Sequence, residues 1–312
     1  MIVSRADGRG ETRRKGEVLD YNGTGVVLRS PSGQREQIPA ERVVRIETGR
    51  LPEHETGDRL RTEGRYEDAL ISYRKAVKQE PREWVQRQIL AEMVGCYQNL
   101  GQFDTAGSTF LIIARIDPAT PLFHVIPLAW KPHQPSPELA RQASAWMGEE
   151  GIPVAGLLGA SWLLATNQRE EALKKLRALA ALPDSRVARL AEAQQWRTRM
   201  ATASEKEIDR WGERVAGLEV ALRAGPYFVM GQTLAQQRVH AQAALTLLRV
   251  PILYPACRDL AAEALLSAGE QLELAGEGGE ASNVYRELVE KYVQHPVVPL
   301  ARERLEKLSE GK

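Results

Sequence analysis

Residues Gly64–Pro81 read GRYEDALISYRKAVKQEP, and this stretch decides the fold. Gly64 can enter the left-handed backbone region without a Cβ clash, so it suits the end of a helix. From there Tyr66, Ala69, Leu70, Tyr73, Ala76 and Val77 recur three and four residues apart, which is one face of a helix. Ala69 is small enough to let a neighbouring helix come close, and Pro81 stops the helix from continuing. Gly57 and Leu60, twelve and nine residues before Ala69, place a preceding helix against the same face. The stretch is the turn and second helix of a helix–turn–helix unit.

Taking Ala69 as pivot, the register recurs four times. Ala106 has Tyr97, Gly101, Phe103, Phe110, Ile113 and Pro118 at matching offsets, and Ala281 has Gly269, Leu272, Gly276, Tyr285 and Leu288. Ala243 keeps Gly231, Leu234, Leu247, Val250 and Pro255 but has Arg238 in place of the turn glycine. Ala172 keeps Ala160, Leu163, Leu176 and Leu179, with Asn167 at that place and Pro183 one residue early. The pivots are 37, 66, 71 and 38 residues apart, so each long gap holds about two repeat lengths. This register resembles the tetratricopeptide repeat, a helix pair of about 34 residues. The resemblance implies a mainly α chain, an α-solenoid of stacked helix pairs. The first helix of each pair would line a concave groove suited to extended peptides or partner helices.

Residues 1–50 follow another pattern. Ile2-Val3, Gly16–Tyr21, Gly25–Arg29, Glu36–Ile38 and Val43–Ile46 are short β-rich runs, with Asn22-Gly23 and Ser32-Gly33 as hairpin turns. Pro39–Arg42 supplies a single helical turn before the last run, and Arg9–Lys15 reads as an exposed hairpin tip. Five short strands predict a small β-barrel. Their order resembles the Sm-like barrels, and also the N-terminal barrels of bacterial envelope proteins that precede helical repeats. Arg5, Arg9, Arg13, Arg14, Lys15, Arg29, Arg35, Arg42, Arg45 and Arg50 give this part a basic excess, the kind of charge that phosphates attract. Tyr21 alone is available for base stacking, and charge runs at hairpin tips are ordinarily solvated, which counts against nucleic acid.

Two repeats are expected over 51–120, with Pro52 at a helix start. Residues 121–137 form a connection in which Pro121, Pro127, Pro132, Pro135 and Pro137 forbid a continuous helix. His124, Trp130 and His133 are its candidates for an unusual site; the alternative is that Phe123, Ile126, Leu128 and Trp130 cover a groove edge. Helices resume over 138–312, with Ser136 as cap and Pro137 in the first turn. Ser185–Met200 and Ser204–Ala224 read as a degenerate pair with Trp196 and Trp211 in the core, and Gly225-Pro226-Tyr227 as a turn. The last helix, with Arg302, Glu303, Arg304, Glu306 and Lys307 towards solvent, serves as a cap. Residues 260–308 (LAAEALLSAGEQLELAGEGGEASNVYRELVEKYVQHPVVPLARERLEKL) resemble the repeats of periplasmic envelope-assembly proteins of the Tol-Pal coordinator type.

The chain has 43% apolar and 27% charged residues and a net charge of +1, a balance that buries a core and gives no chain-wide field for nucleic acid or membrane. No apolar run reaches membrane-spanning length. Met1-Ile2-Val3 leads at once into charge, as in a mature chain after cleavage or a shortened one. Cys96 and Cys257 lie far apart within helical patterns and read as free thiols. There is no Gly-x-Ser-x-Gly, and His54-Glu55 has no second histidine at metal-ligand spacing. GLLGAS at 156–161 lacks the Lys-Ser/Thr of a phosphate loop. No catalytic residue, cofactor or metal ligand is assigned.

The expected function is that of a non-catalytic scaffold holding protein partners in the helical groove, in the periplasm or another part of the bacterial envelope. The alternatives are an RNA-binding cytoplasmic protein using the basic barrel, and an enzyme of the Pro-rich loop. Groove-facing candidates are Asp58, Arg61 and Thr62 on the first pair and Gln88, Glu92 and Gln98 on the second.

Overall fold

The computed structural model describes residues 2–5, 11–183 and 185–310. It is mainly α, with a small antiparallel N-terminal sheet region. The chain divides into two compact units, Met1–Pro127 and Leu128–Lys312, and the division falls inside the Pro-rich connection.

In the first unit the strands are β1 (Ile2–Arg5), β2 (Glu11–Arg14), β3 (Glu17–Asn22), β4 (Gly25–Arg29), β5 (Arg35–Pro39) and β6 (Val43–Ile46). They form two three-stranded sheets, ordered β2-β1-β6 and β3-β4-β5, and do not close into the expected five-stranded barrel. Lys15-Gly16 interrupts what would be one long strand between β2 and β3. A Cβ on Gly16 would collide with the Arg29 backbone carbonyl and the Leu28 side chain. The expected hairpin tip is also corrected, since Glu11–Arg14 is a strand paired with β1; Arg9 and Gly10 lie outside the described residues. The Asn22-Gly23 turn is present, joining β3 to β4, and Ala40–Arg42 is the single helical turn before β6. Val18, Val26, Leu28 and Ile38 alternate inward and form the buried side of β3-β4-β5.

Four helices complete this unit: α1 (Pro52–Thr62), α2 (Tyr66–Gln79), α3 (Glu83–Asn99) and α4 (Phe103–Ile116). The β3–β4 turn seats on the end of α4, where Asp117 accepts the Gly23 amide at 2.9 Å and Ala119 leaves no room for a Cβ on Gly23. Buried Arg87 on α3 donates to Asp20 Oδ1 and to the Tyr21 carbonyl, both at 2.8 Å. Sheet and helices are therefore locked through charge-assisted bonds as well as apolar packing.

The second unit holds α5 (Pro137–Gly148), α6 (Pro153–Leu163), α7 (Arg169–Ala180), α8 (Ser185–Trp196), α9 (Glu205–Ala216), α10 (Ala224–Gln236), α11 (His240–Leu253), α12 (Arg258–Leu274), α13 (Gly278–Lys291) and α14 (Val298–Glu310). Ser136 caps α5 by accepting the Leu139 amide at 3.2 Å. Trp196 and Trp211 stack with centroids 4.9 Å apart in the core of the α8/α9 region. Gly225-Pro226-Tyr227 is not the expected turn. It lies in the first turn of α10, where proline's missing N–H costs nothing.

The repeat register is a packing rule. The five pivots Ala69, Ala106, Ala172, Ala243 and Ala281 are each fully buried. Twelve residues earlier stands Gly57, Ala160, Gly231 or Gly269 in four of the five, with Val94 before Ala106, and each of the three glycines faces the side chain four residues after its pivot. A Cβ on Gly57 would come within 2.5 Å of the Tyr73 ring, and one on Gly231 within 2.5 Å of Leu247; Gly269 faces Tyr285 in the same way. The turns repeat too. Gly64, Gly101 and Gly276 take φ of 78°, 71° and 84°, and Arg238 takes the same left-handed conformation at 62°. In each, the next amide reaches back five residues, Arg65 to Leu60, Gln102 to Tyr97, Val239 to Leu234 and Glu277 to Leu272, all at 2.9 Å. Asn167 departs from this, because the α6–α7 turn closes through Thr166 and Arg169 amides with no left-handed residue at 167.

Candidate functional site

The faces presented by the first helices of the pairs are the candidate site, and the two units furnish them differently. In the first unit Arg61 on α1 is the centre of a polar network. Its Nε lies 3.1 Å from Glu92 Oε2 on α3 and donates to the Tyr73 hydroxyl at 3.3 Å. Tyr73 in turn donates to Asp58 Oδ1 at 2.8 Å, and Asp58 is paired with Arg50. Thr62 donates to the Asp58 backbone carbonyl at 2.9 Å. Of the six residues expected on the groove, the structure thus gathers Asp58, Arg61, Thr62 and Glu92; Gln88 and Gln98 are half-buried elsewhere on α3. Sequence reasoning missed Tyr73 and Arg50. Tyr73 was legible only as a core residue, since its hydroxyl emerges on the far side of the contact with Gly57.

The electrostatics of this network are those of held groups. Burial raises the Glu92 carboxyl against the opposing pull of Arg61. Burial works to lower Arg61, and Glu92 and Tyr73 outweigh it, so the guanidinium stays charged. The Cys96 thiol is pushed by burial up to about 12, far from a nucleophile's range. His54, buried on α1, is lowered chiefly by burial, and its Nδ1 has no hydrogen-bond partner among the described residues.

A second feature of this unit is a groove of about 540 Å³ between β3 and the start of α3, lined by Leu19, Asp20, Thr48, Arg82 and Trp84 among others. Arg82 forks onto buried Glu80 at 2.6 and 2.8 Å and holds Thr48 Oγ1 and the Gly49 carbonyl, which fixes the strand-to-helix connection. The basic residues of the sheets are partly neutralised: Arg13 and Arg45 pair with Glu47, Arg14 with Glu36, and Arg29 with Glu17.

In the second unit the chain's own residues Leu128–Lys131 lie against the first helices. The Ala129 amide donates to Ser161 Oγ on α6 at 3.3 Å. Arg197, just past α8, donates to the Lys131 carbonyl at 3.1 Å and is itself held by the Ser161 carbonyl at 2.8 Å and Gln194 at 2.7 Å. Trp130 lies on Gly225 of α10, where a Cβ would fall inside the indole's van der Waals shell. Lys131 Nζ lies 2.8 Å from Glu263 and 3.2 Å from Asp259 on α12, and His295 Nε2 is 3.1 Å from Asp259. Asp259, Glu263 and His295 have the donor atoms of a cation site, and its two carboxylates hold the lysine ammonium. Burial works to lower Lys131, and the two acids outweigh it and raise it.

Leu128 and Ala129 are buried, and Trp130 packs on two core clusters. Phe123 and Ile126 are buried in the first unit. His124 and His133, named as a possible pair, are both exposed and belong to different units. No sequence signal linked residue 131 to 259, 263 and 295. No protein-family model matches the chain, and none of the curated proteins matches it.

Proposed function

We propose that the protein is a non-catalytic scaffold of the tetratricopeptide type, which holds protein partners on the first-helix faces of its helix pairs. The observation that carries this reading is the fixed register: five fully buried alanine pivots, with a small residue facing a large one across each pair wherever a glycine makes the contact. Helix pairs built to one rule leave their outer positions free to vary, which is how repeat proteins acquire binding surfaces. Arg61 supports it further. Its Nε is committed to Glu92 and Tyr73 and the side chain is half-exposed, so a held guanidinium lies within reach of a partner's carboxylate or carbonyl. The raised Cys96 thiol supports the non-catalytic part of the reading. A place in the bacterial envelope is part of the proposal, and it rests on the resemblance of residues 260–308 to envelope-assembly repeats.

The test is in-cell photo-cross-linking with the cross-linker installed at Thr62 or Gln98 in the full chain. Discrete protein adducts that vanish in Arg61→Glu are expected. Adducts to RNA alone, or none at either position, would overturn the proposal.

A further inference from the structure

The four residues Leu128–Lys131 are held by groups that between them read a peptide. Ser161 Oγ accepts a backbone amide, and Arg197 donates to a backbone carbonyl two residues on. Gly225 opens a slot that an indole fills, and Asp259 with Glu263 receives an ammonium. Backbone acceptor, backbone donor, aromatic slot and acidic anchor lie in the order of a single extended chain, and any chain of that pattern presents the same groups.

We propose that this face is a recognition site for an extended protein segment carrying a small residue, an aromatic residue and a lysine in succession, and that Leu128–Lys131 is a displaceable occupant held in cis. This rests on the protein-binding reading above and names the chemistry of one of its partners. Three observations favour displacement over a purely structural role. The occupant has no secondary structure, so it leaves without breaking a ladder. Its outgoing flank, Pro132, His133 and Gln134, is exposed. Lys131 and its two acids keep 29%, 36% and 24% of their side-chain surface open, so a competing ammonium reaches the acids from solvent. A tethered occupant competes at an effective concentration in the millimolar range, and a partner segment therefore binds weakly until the tether is weakened.

The experiment uses the full chain and a fluorescent peptide of residues 126–135, IPLAWKPHQP, followed by anisotropy. The Trp130→Ala/Lys131→Ala variant is expected to bind this probe at least about tenfold tighter than the unaltered protein, because its own segment no longer competes. That gain should be lost when the probe's lysine is replaced by glutamate, or when Asp259→Lys and Glu263→Lys are added to the protein. Lys131→Glu, which keeps the indole and repels the acids, is the second variant and should gain in the same sense. A variant with unaltered helical circular dichroism that binds no tighter, or that binds the glutamate probe equally well, overturns the proposal. Collapse of both variants also overturns it, because a displaceable occupant is not needed for folding. Adducts formed through Thr62 or Gln98 on the first unit would survive such a result, so the scaffold reading and this inference fail separately.

Discussion

The pairs α1/α2 and α12/α13 fill the contact four residues after the pivot with tyrosine, and α10/α11 fills it with leucine. Each contact faces a glycine, Gly57, Gly269 or Gly231, where an added Cβ would come within 2.5 Å of the facing side chain. What differs is the far side. The Tyr73 hydroxyl reaches Asp58 and the Tyr285 hydroxyl reaches Glu273, both on the first helix, whereas Leu247 ends in methyl groups. The register fixes where two helices touch, and the residue at the contact decides whether a carboxylate is ordered on the outer face. In the first unit that carboxylate belongs to the Arg61 network.

The comparison can be broken hardest at the glycines. Gly57→Val and Gly269→Val drive a side chain into a rigid phenol, and each should cost about 3 kcal/mol, whereas Gly231→Val meets a leucine that can change rotamer and should cost nearer 1 kcal/mol. Urea-unfolding midpoints of the full chain rank the three, and equal costs would refute the distinction between the fillings.

A second change converts one kind of pair into the other. Leu247→Tyr alone buries a hydroxyl that lacks its acid, at a cost of about 2 kcal/mol. Gln232 stands eleven residues before its pivot, the place Asp58 holds before Ala69. Adding Gln232→Asp should therefore return about 1 kcal/mol. No recovery in the double variant would show that the hydroxyl–carboxylate bond is not set by the register.

Acid should separate the α12/α13 pair from the others. Burial works to raise Asp259, and the bonds from His295 and Lys131 outweigh it, so its folded pKa lies below the ordinary value. Such a group contributes stability that is present above the unfolded pKa near about 4 and is lost as pH falls through the folded value. Because Asp259 is over a third exposed, solvent screening keeps this below about 1 kcal/mol. Asp259→Asn should flatten the acid limb of a pH-dependent melting curve; an unaltered limb would sink the assignment.

The smallest effect belongs to the left-handed turn that has arginine in place of glycine. Left-handed backbone costs an L-residue about 1–2 kcal/mol, and glycine gives back about 0.5–1 kcal/mol in unfolded-chain freedom. Arg238→Gly should thus raise stability by roughly 0.5 kcal/mol, while Gly276→Ala lowers it by about 1 kcal/mol. Thermal melts resolve both, and a destabilised Arg238→Gly would mean that the arginine side chain has a role of its own.

The alanine register was legible because one residue type satisfies two demands at once, helix propensity and close approach, and leaves both in the sequence at fixed spacing. Arg238 was legible as a position in that register, and its left-handed backbone followed from the turn it had to make. Glu11–Arg14 was not legible as a strand, since Glu-Thr-Arg-Arg shows no apolar alternation and pairs through its backbone. The charge of Arg9–Lys15 points to an exposed hairpin tip, whereas the strand β2 runs to Arg14 and β3 begins at Glu17. At the candidate site, Glu92 was reachable from helix geometry, but its bond to Arg61 depends on how two helix pairs stack. The contacts of Leu128–Lys131 span 32 to 132 residues, and proline density foretells only that such a segment is extended.

Those contacts also set where the chain tolerates insertion and deletion. A connector between helices ordinarily drifts in length at small cost. Here one residue gained or lost between Ala129 and Lys131 would turn the indole off Gly225 and the ammonium away from its acids, so this short piece keeps step like a helix interior. The exposed run Pro132–Gln134, directly after it, carries no such demand. Length variation among descendants of this chain should therefore stop abruptly at Lys131.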